Sequence, residues 1–448
     1  MTEKSRKTRH HRLAALAAGV ATLALALAGC GGSSTEAGGS GSAASGEKVE
    51  LTVTTFGTMG FDKLYAQYEA AHPNVTVKAT NIDTGDNALT DWKTKQAAGS
   101  GLPDVQAVEE GWLGQVMKVS SSFTDLRDQG ADALKDRWVP WKLAQGTDPE
   151  GRVIGYGTDI GPEGLCFNRS LFKEAGLPTD RAGVAALFGA DSASWAKFFE
   201  VGKQYHDKTG KAFYDQSGFV WNAMVNQQPV GYYTPDDKLN IDGNAALRGL
   251  WDQLGTAASE GLSANQTQWD WGKGKAFTDG SFATFVCPGW MLGVVKGQVT
   301  SGGGDAKTGW DFADVFPGGA ANWGGSFLTV PKTSKHPAEA AALADWLTQP
   351  AQQAAAFQAA GTFPSGVQAQ TDPGVTGTNE LSTFFNDAPL GTILAKRAQG
   401  VVAQHKGPQD SVIQSQVFGP AVKAIDKGVP AAQAWDGAIT TLGQVVDG

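Results

Sequence analysis

The chemically capable residues of this chain recur in one pattern, a tryptophan beside a short acid or amide. Trp112 follows Glu109-Glu110, and Trp221 precedes Asn222. Trp269 and Trp271 flank Asp270, Trp290 follows Pro288-Gly289, and Trp323 stands between Asn322 and Gly324-Gly325. An indole offers an electron-rich face to C–H groups. Carboxylates and amides bond hydroxyl edges, and the ionised groups bond them more strongly. A neutral, ring-shaped polyol matches both surfaces. Any single tryptophan is more often packing than platform. Trp138, Trp141, Trp195, Trp251, Trp346 and Trp435 read as packing, and Trp195, Trp251 and Trp346 lie in amphipathic helical stretches.

Strands must carry these residues to one place. "VELTVTTFG" alternates as a strand and ends in Gly57; "NVTVKATNI" and "PDVQAVEEGW" are two more, with helical spacing between them. Strands alternating with helices imply β-α-β units and a mainly parallel sheet. Such sheets place ligands at the carboxyl ends of their strands. The exits to watch are Phe56-Gly57-Thr58, Asn81 to Asp83, and Glu109 to Trp112. Asp159, Glu110, Asp83 and Asn81 are the candidates for hydroxyl edges, with Asn222 and Tyr156 behind them. Asp159 lies in a block broken by Gly155, Gly157, Gly161, Pro162 and Gly164, which suits a chain crossing between lobes. The plainer role for Asp159 is to cap a turn. Phe363, in the break "GTFPS", is placed to close a rim. Phe282 to Cys287 reads as a buried strand that Pro288-Gly289 ends, with Trp290 immediately after.

Composition sets the compartment and removes whole classes. The 448 residues are 41 % hydrophobic and 18 % charged, with formal net charge −9. An acidic body without a basic patch argues against nucleic acid and against polybasic attachment to lipid. Lys4, Arg6, Lys7, Arg9 and Arg12 precede an apolar run, Leu13 to Leu27, that ends in Leu27-Ala28-Gly29-Cys30. This looks like a lipoprotein signal peptide over residues 1–29, with Cys30 as the lipidated residue. Residues 30–46 are then a Gly/Ser tether with a reach of roughly 20–25 Å. Cys166 and Cys287 remain, either as a disulfide or as two buried thiols. No metal-ligand spacing is present, and no cofactor is expected.

A hydrolase needs two carboxyls at a set separation, and Glu109 or Glu110 with Asp159 is the pair to consider. No GxSxG elbow, HExxH or P-loop occurs. A binder of anions would want arginine at the strand exits, which instead offer acids and tryptophan.

"GLCFNRSLFKEAGLP" (164–178), "FVCPGW" (285–290) and "GGSFLTVPKTSKHPAEAAALADWL" (324–347), with the lipobox and tether, resemble an ABC-importer solute-binding lipoprotein of the maltose-binding type. "GYGTDIGP", "CPGWML" and "ADVFPGGAANWGGSFLTVPK" look similar to actinobacterial cellobiose and cello-oligosaccharide-binding proteins. The resemblance covers essentially the whole chain. It implies an α/β, two-lobed Venus-flytrap fold, each lobe a mostly parallel sheet flanked by helices. The chain would cross near Tyr156–Asp159, Pro288–Leu292 and after Thr362. Lobe one would hold 47–158 and 291–363, and lobe two 159–290 and 364–448. Trp221 and Trp290 match the family's aromatic platforms, and Trp271 and Trp323 are further candidates. The resemblance implies a non-enzymatic sugar carrier on the outer face of the cell membrane, held by Cys30 and serving a permease. Clustered tryptophans favour a β-linked sugar such as cellobiose; malto-, xylo- and chito-oligosaccharides and non-sugar solutes are the alternatives. No self-association surface is evident, so a monomer is expected.

Overall fold

The computed structural model describes residues 47–446. The leader, the lipobox at Cys30 and the tether lie outside those residues. Nine strands follow in chain order: β1 (Val49–Phe56), β2 (Val75–Ile82), β3 (Val105–Glu109), β4 (Gly155–Gly157), β5 (Glu163–Asn168), β6 (Ala212–Tyr214), β7 (Phe282–Pro288), β8 (Trp310–Ala313) and β9 (Ser326–Thr329). They form two sheets, β2-β1-β3-β9-β4 and β6-β7-β5-β8.

Both sheets are mixed, where a mostly parallel pattern was expected. β1 pairs in parallel with β2 and β3, as strands joined by crossover helices do. β9 runs antiparallel to β3 and β4. In the second sheet β6 and β7 are parallel, while β5 is antiparallel to β7 and β8. β5 and β9 are the strands that arrive directly from the other sheet. No intervening helix returns the chain to the starting edge, so nothing imposes the parallel sense.

In the second sheet β5 and β7 are buried along their whole length and read as near-continuous apolar runs, whereas β1 alternates and the edge strand β2 is largely exposed. Leu165 and Phe167 of β5 face one core with the helices Trp195–Thr209, Ala245–Ser259 and Ala431–Val446. Cys166 faces the other, with Phe285, Cys287 and the helix Met291–Ser301. Cys166 and Cys287 are bonded, with Cα atoms 5.6 Å apart, and join neighbouring strands diagonally. In the first sheet, Leu51, Val53 and Leu328 meet the helices Asp62–Ala71 and Pro337–Leu347.

Three segments run side by side between the sheets. Ile160 N donates to Phe363 O at 2.8 Å, and Trp323 N to Gly161 O at 2.9 Å. At Gly161 a Cβ would lie 1.8 Å from the Trp323 carbonyl oxygen, so this approach admits only glycine. Residues 158–162 and 314–325 each link one sheet to the other. Pro288–Leu292 does not cross. The chain there enters the helix Met291–Ser301, and β8 then pairs with β5. Residues 291–313 therefore stay with the second sheet, against the expected placement of 291–363 in lobe one. The reason is apolar: Trp310 and Phe312 complete the second sheet's core. Among the described residues no helix is long and apolar enough to cross a membrane.

Candidate functional site

A cavity of about 800 Å³ opens between the sheets where the parallel strands end. Phe56 closes β1, Asp83 follows β2, and Glu109 ends β3 with Glu110 behind it; all four line the cavity. The crossing segments add Asp159, Trp323 and Gly324, and the end of β7 adds Trp290. Asn222 enters from the helix Ser217–Asn226.

The acids at the base are held by protein donors. Glu110 Oε1 accepts from Gln145 Nε2 at 2.9 Å. Its Oε2 accepts from Asn322 Nδ2 at 3.1 Å and from Gly324 N at 3.0 Å. Asp159 Oδ1 accepts from Thr158 Oγ1 at 2.6 Å and Ser326 N at 3.0 Å. Beneath them lies Lys142, fully buried, its ammonium 3.8 Å from the centre of the Phe327 ring. Burial lowers Lys142 to about 8, opposed by the charges of Asp159, Glu110 and Glu109. Burial, then the neighbouring Glu110, pushes Glu109 up to about 8, against the bond from Gly111 N. When it holds its proton, Glu109 can donate as well as accept.

Indoles form one wall. Trp290 caps the helix Met291–Ser301 and donates from Nε1 to Trp323 O at 2.7 Å. Its ring lies 5.6 Å from Trp323 and nearly perpendicular to it, and 6.2 Å from Trp269 at a 32° tilt. Trp269 is 42 % exposed and sits at φ +65° in a turn where Trp271 and Lys273 also have positive φ. Non-glycine residues adopt this conformation only where the surroundings impose it. Here Trp271 anchors the turn, with Nε1 donating to Asp215 Oδ2 at 2.9 Å and its ring stacked on Phe219.

Five expected site residues do not line the cavity. Trp221 is fully buried between Trp251 and Phe418. Trp271 is buried too, holding the turn while Trp269 takes the exposed place. Tyr156 stacks on Trp138 inside the first core at 5.4 Å, and Phe363 packs edge-on against Phe357. Asn81 braces the end of β1 by donating from Nδ2 to Gly57 O at 2.8 Å. The four aromatic groups found partners in the interior, whereas Asn81 stays exposed at the end of its strand. Phe56, Asp83, Glu110, Asp159, Asn222, Trp290 and Trp323 do line it.

Other lining residues had no local signature. Lys406, Asp410, Ser411, Gln414 and Ser415 come from the C-terminal stretch, and Tyr232 from a loop. For Trp269 and Glu109 the signal was present, since both belong to tryptophan–acid clusters.

Known proteins share this fold. Residues 63–383 match the bacterial extracellular solute-binding protein family. A solved extracellular solute-binding protein of family 1 is 45 % identical, with 88 % of this chain and 98 % of that one covered and a TM-score of 0.78. A lactose-binding protein of Rhizobium radiobacter is 28 % identical over 284 residues, 61 % of this chain. The match spans 63 % of that relative, somewhat under two thirds of its length. A transporter-associated binding protein of B. animalis subsp. lactis Bl-04, solved with β-1,6-galactobiose, shares the fold at 19 % identity, covering 88 % of this chain and 97 % of that one with a TM-score of 0.74.

Proposed function

The chain belongs to the bacterial extracellular solute-binding protein family, and from that membership we propose that it captures a di- or oligosaccharide and delivers it to an ABC-importer permease. One observation carries the reading: three indoles, Trp269, Trp290 and Trp323, share a cavity with hydroxyl-bonding acids and amides. At about 800 Å³ it lies in the upper part of the roughly 300–1,000 Å³ range of small-molecule sites. Pyranose C–H faces stack on the indoles while the hydroxyl edges meet Glu109, Asp83 and Asn222. Clustered tryptophans suit a flat, β-linked chain, and cellobiose or a short cello-oligosaccharide is the first choice. Lactose is the second, because a relative is named for it.

The protein acts as a carrier and not as a hydrolase. Glu110 and Asp159 are engaged by protein donors, which suits fixed binding groups better than an acid–base pair. It needs no cofactor and works as a monomer, tethered through lipidated Cys30 to the outer face of the membrane. A melting screen tests the ligand, since a solute that binds only the folded state raises Tm with its concentration. Cellobiose or lactose should raise it. A shift with maltose, xylobiose or chitobiose alone would move the specificity, and release of glucose from cellobiose would restore the hydrolase.

A further inference from the structure

Trp221 misses the cavity but controls a residue that does not. Its Nε1 lies 2.9 Å from Tyr232 Oη, and Tyr232 Oη lies 2.6 Å from the side-chain amide of Gln414. An indole N–H can only donate. With the indole donating to the phenol oxygen, the phenol hydrogen goes to Gln414, and the atom receiving it has to be the carbonyl oxygen Oε1. A flipped amide donating to the phenol oxygen would leave the buried phenol hydrogen without an acceptor, so the order of donors and acceptors sets which way the amide faces. Burial holds Tyr232 well above the usual tyrosine range, so the phenol keeps its hydrogen. Packing fixes the chain of bonds: Tyr232 stacks on Phe418 at 5.1 Å and 4°, and Trp221 meets Trp251 edge-on at 5.2 Å.

Gln414 and Phe418 share the six-residue π-helix Ile413–Phe418, and Gln414 and Ser415 both line the cavity. Such widened turns are rare and occur often at functional sites. Oε1 is taken by Tyr232, whereas Nε2 makes no hydrogen bond within the described residues. Nor is it among the buried side-chain polar atoms left without a partner. We propose that Gln414 is a specificity-determining donor, its amide locked by the Trp221–Tyr232 relay so that Nε2–H meets an acceptor oxygen of the bound sugar. The inference rests on the sugar-binding reading above. An ionised carboxylate in the cavity makes a sugar hydroxyl donate; Gln414 makes the oxygen opposite it accept. A sugar lacking that oxygen, or forced to present only a hydrogen there, is rejected. Tyr232 is a positioning residue in this scheme, and Trp221 positions Tyr232.

Titration calorimetry of the full chain with cellobiose and with lactose tests the relay. If neither binds the wild type, the sugar that raises Tm in the melting screen takes their place; if none of them binds, the sugar-binding reading falls and this inference falls with it. If one binds, Gln414→Glu should weaken it about tenfold or more at pH 7, since it keeps the shape and the bond from Tyr232 but loses the donor. Lowering the pH to 4.5 should recover part of that loss relative to wild type, because the protonated carboxyl again carries a hydrogen. Glu109, Asp410 and Lys406 face the same cavity in both proteins, so the ratio to wild type is the quantity read. Tyr232→Phe frees the amide to turn, and in that background Gln414→Glu should cost less than it does alone. Wild-type affinity for Gln414→Glu, no recovery at low pH, or two losses that simply multiply would overturn the relay. Melting without sugar checks the fold. Should Gln414→Glu not fold, Gln414→Met, similar in length and without a donor, carries the same expected loss at pH 7.

Discussion

Trp290 and Trp221 carry the same side chain and differ in what surrounds it. Trp290 keeps a face on the cavity, whereas Trp221 is enclosed by Trp251, Phe418 and Tyr232. Trp290→Ala should therefore lower sugar affinity at least tenfold, the loss of about 1.4 kcal/mol of stacking and burial, with Tm nearly unchanged. Trp221→Ala should destabilise the fold by about 3–5 kcal/mol, as large-to-small core changes do. Calorimetric titration and thermal melts separate the two; equal effects on both readouts would undo the distinction. Glu109 gives a pH signature. Its pKa is about 8 in the folded chain and near 4.3 in an unfolded one. Between those values the folded state holds a proton that the unfolded state has released. Stability from this residue thus falls as pH rises through that window and levels off above pH 8. Glu109→Gln should remove the slope, gaining stability over wild type at pH 8 and little at pH 4. Parallel stability–pH curves for the two proteins would show that Glu109 titrates normally.

At the scale of elements, β7 joins core to site. It ends at Pro288, and Trp290 follows two residues later, so whatever steadies β7 steadies an indole of the cavity wall. The Cys166–Cys287 bond ties it to β5 across a sequence separation of 121 residues. Losing such a link costs about 2–5 kcal/mol. Dithiothreitol should lower the wild-type Tm by several degrees and leave the Cys166→Ser/Cys287→Ser double variant unmoved; no effect on wild type would mean the bond does not contribute. These elements were the legible part of the sequence. The apolar run Phe282 to Cys287, the break at Pro288-Gly289 and the exits of β1, β2 and β3 all announce themselves through alternation and glycine. Which way a helical tryptophan faces does not. Trp221 in Ser217–Asn226 is apolar on nearly every side, and only the arrival of Phe418 from the far end of the chain decides its burial. Trp269 and Trp271 differ by which one finds Asp215, a partner more than fifty residues away. Gln414 and Lys406 reach the cavity purely through long-range packing. The order of crossings was misread for a similar reason: the pairing of β8 with β5 rests on two aromatic side chains, Trp310 and Phe312, without a local signal.

For the molecule as a whole, the proposed capture of a sugar has the two halves close around it and open again. The crossing segments Asp159–Gly161, Ala321–Gly325 and Phe363–Pro364 form one bonded strip between the sheets, with Ile160 and Phe363 in one core and Ala321 in the other. The halves also touch through residues outside that strip. Gly114, on the helix Leu113–Lys118, packs against the backbone of Lys406 and Gly407, where an added Cβ would lie 2.2 Å from the Gly407 oxygen. Gln115 Nε2 donates to Ser411 Oγ at 2.8 Å, and Lys118 pairs with Asp237 at 2.7 Å. The ion pair is exposed and worth little; the backbone contact at Gly114 is the part that a side chain cannot enter. Lys406 and Ser411 line the cavity, so this contact and the proposed sugar site share residues. Gly114→Val should hold the halves apart. Apparent affinity then falls by the fraction of molecules still able to close, and about tenfold is expected if closing becomes 1.4 kcal/mol harder. Small-angle scattering should show the sugar-loaded variant less compact than sugar-loaded wild type, while melts without sugar stay close together. Wild-type affinity and compaction in Gly114→Val would place closure elsewhere and leave the crossing strip to set it alone.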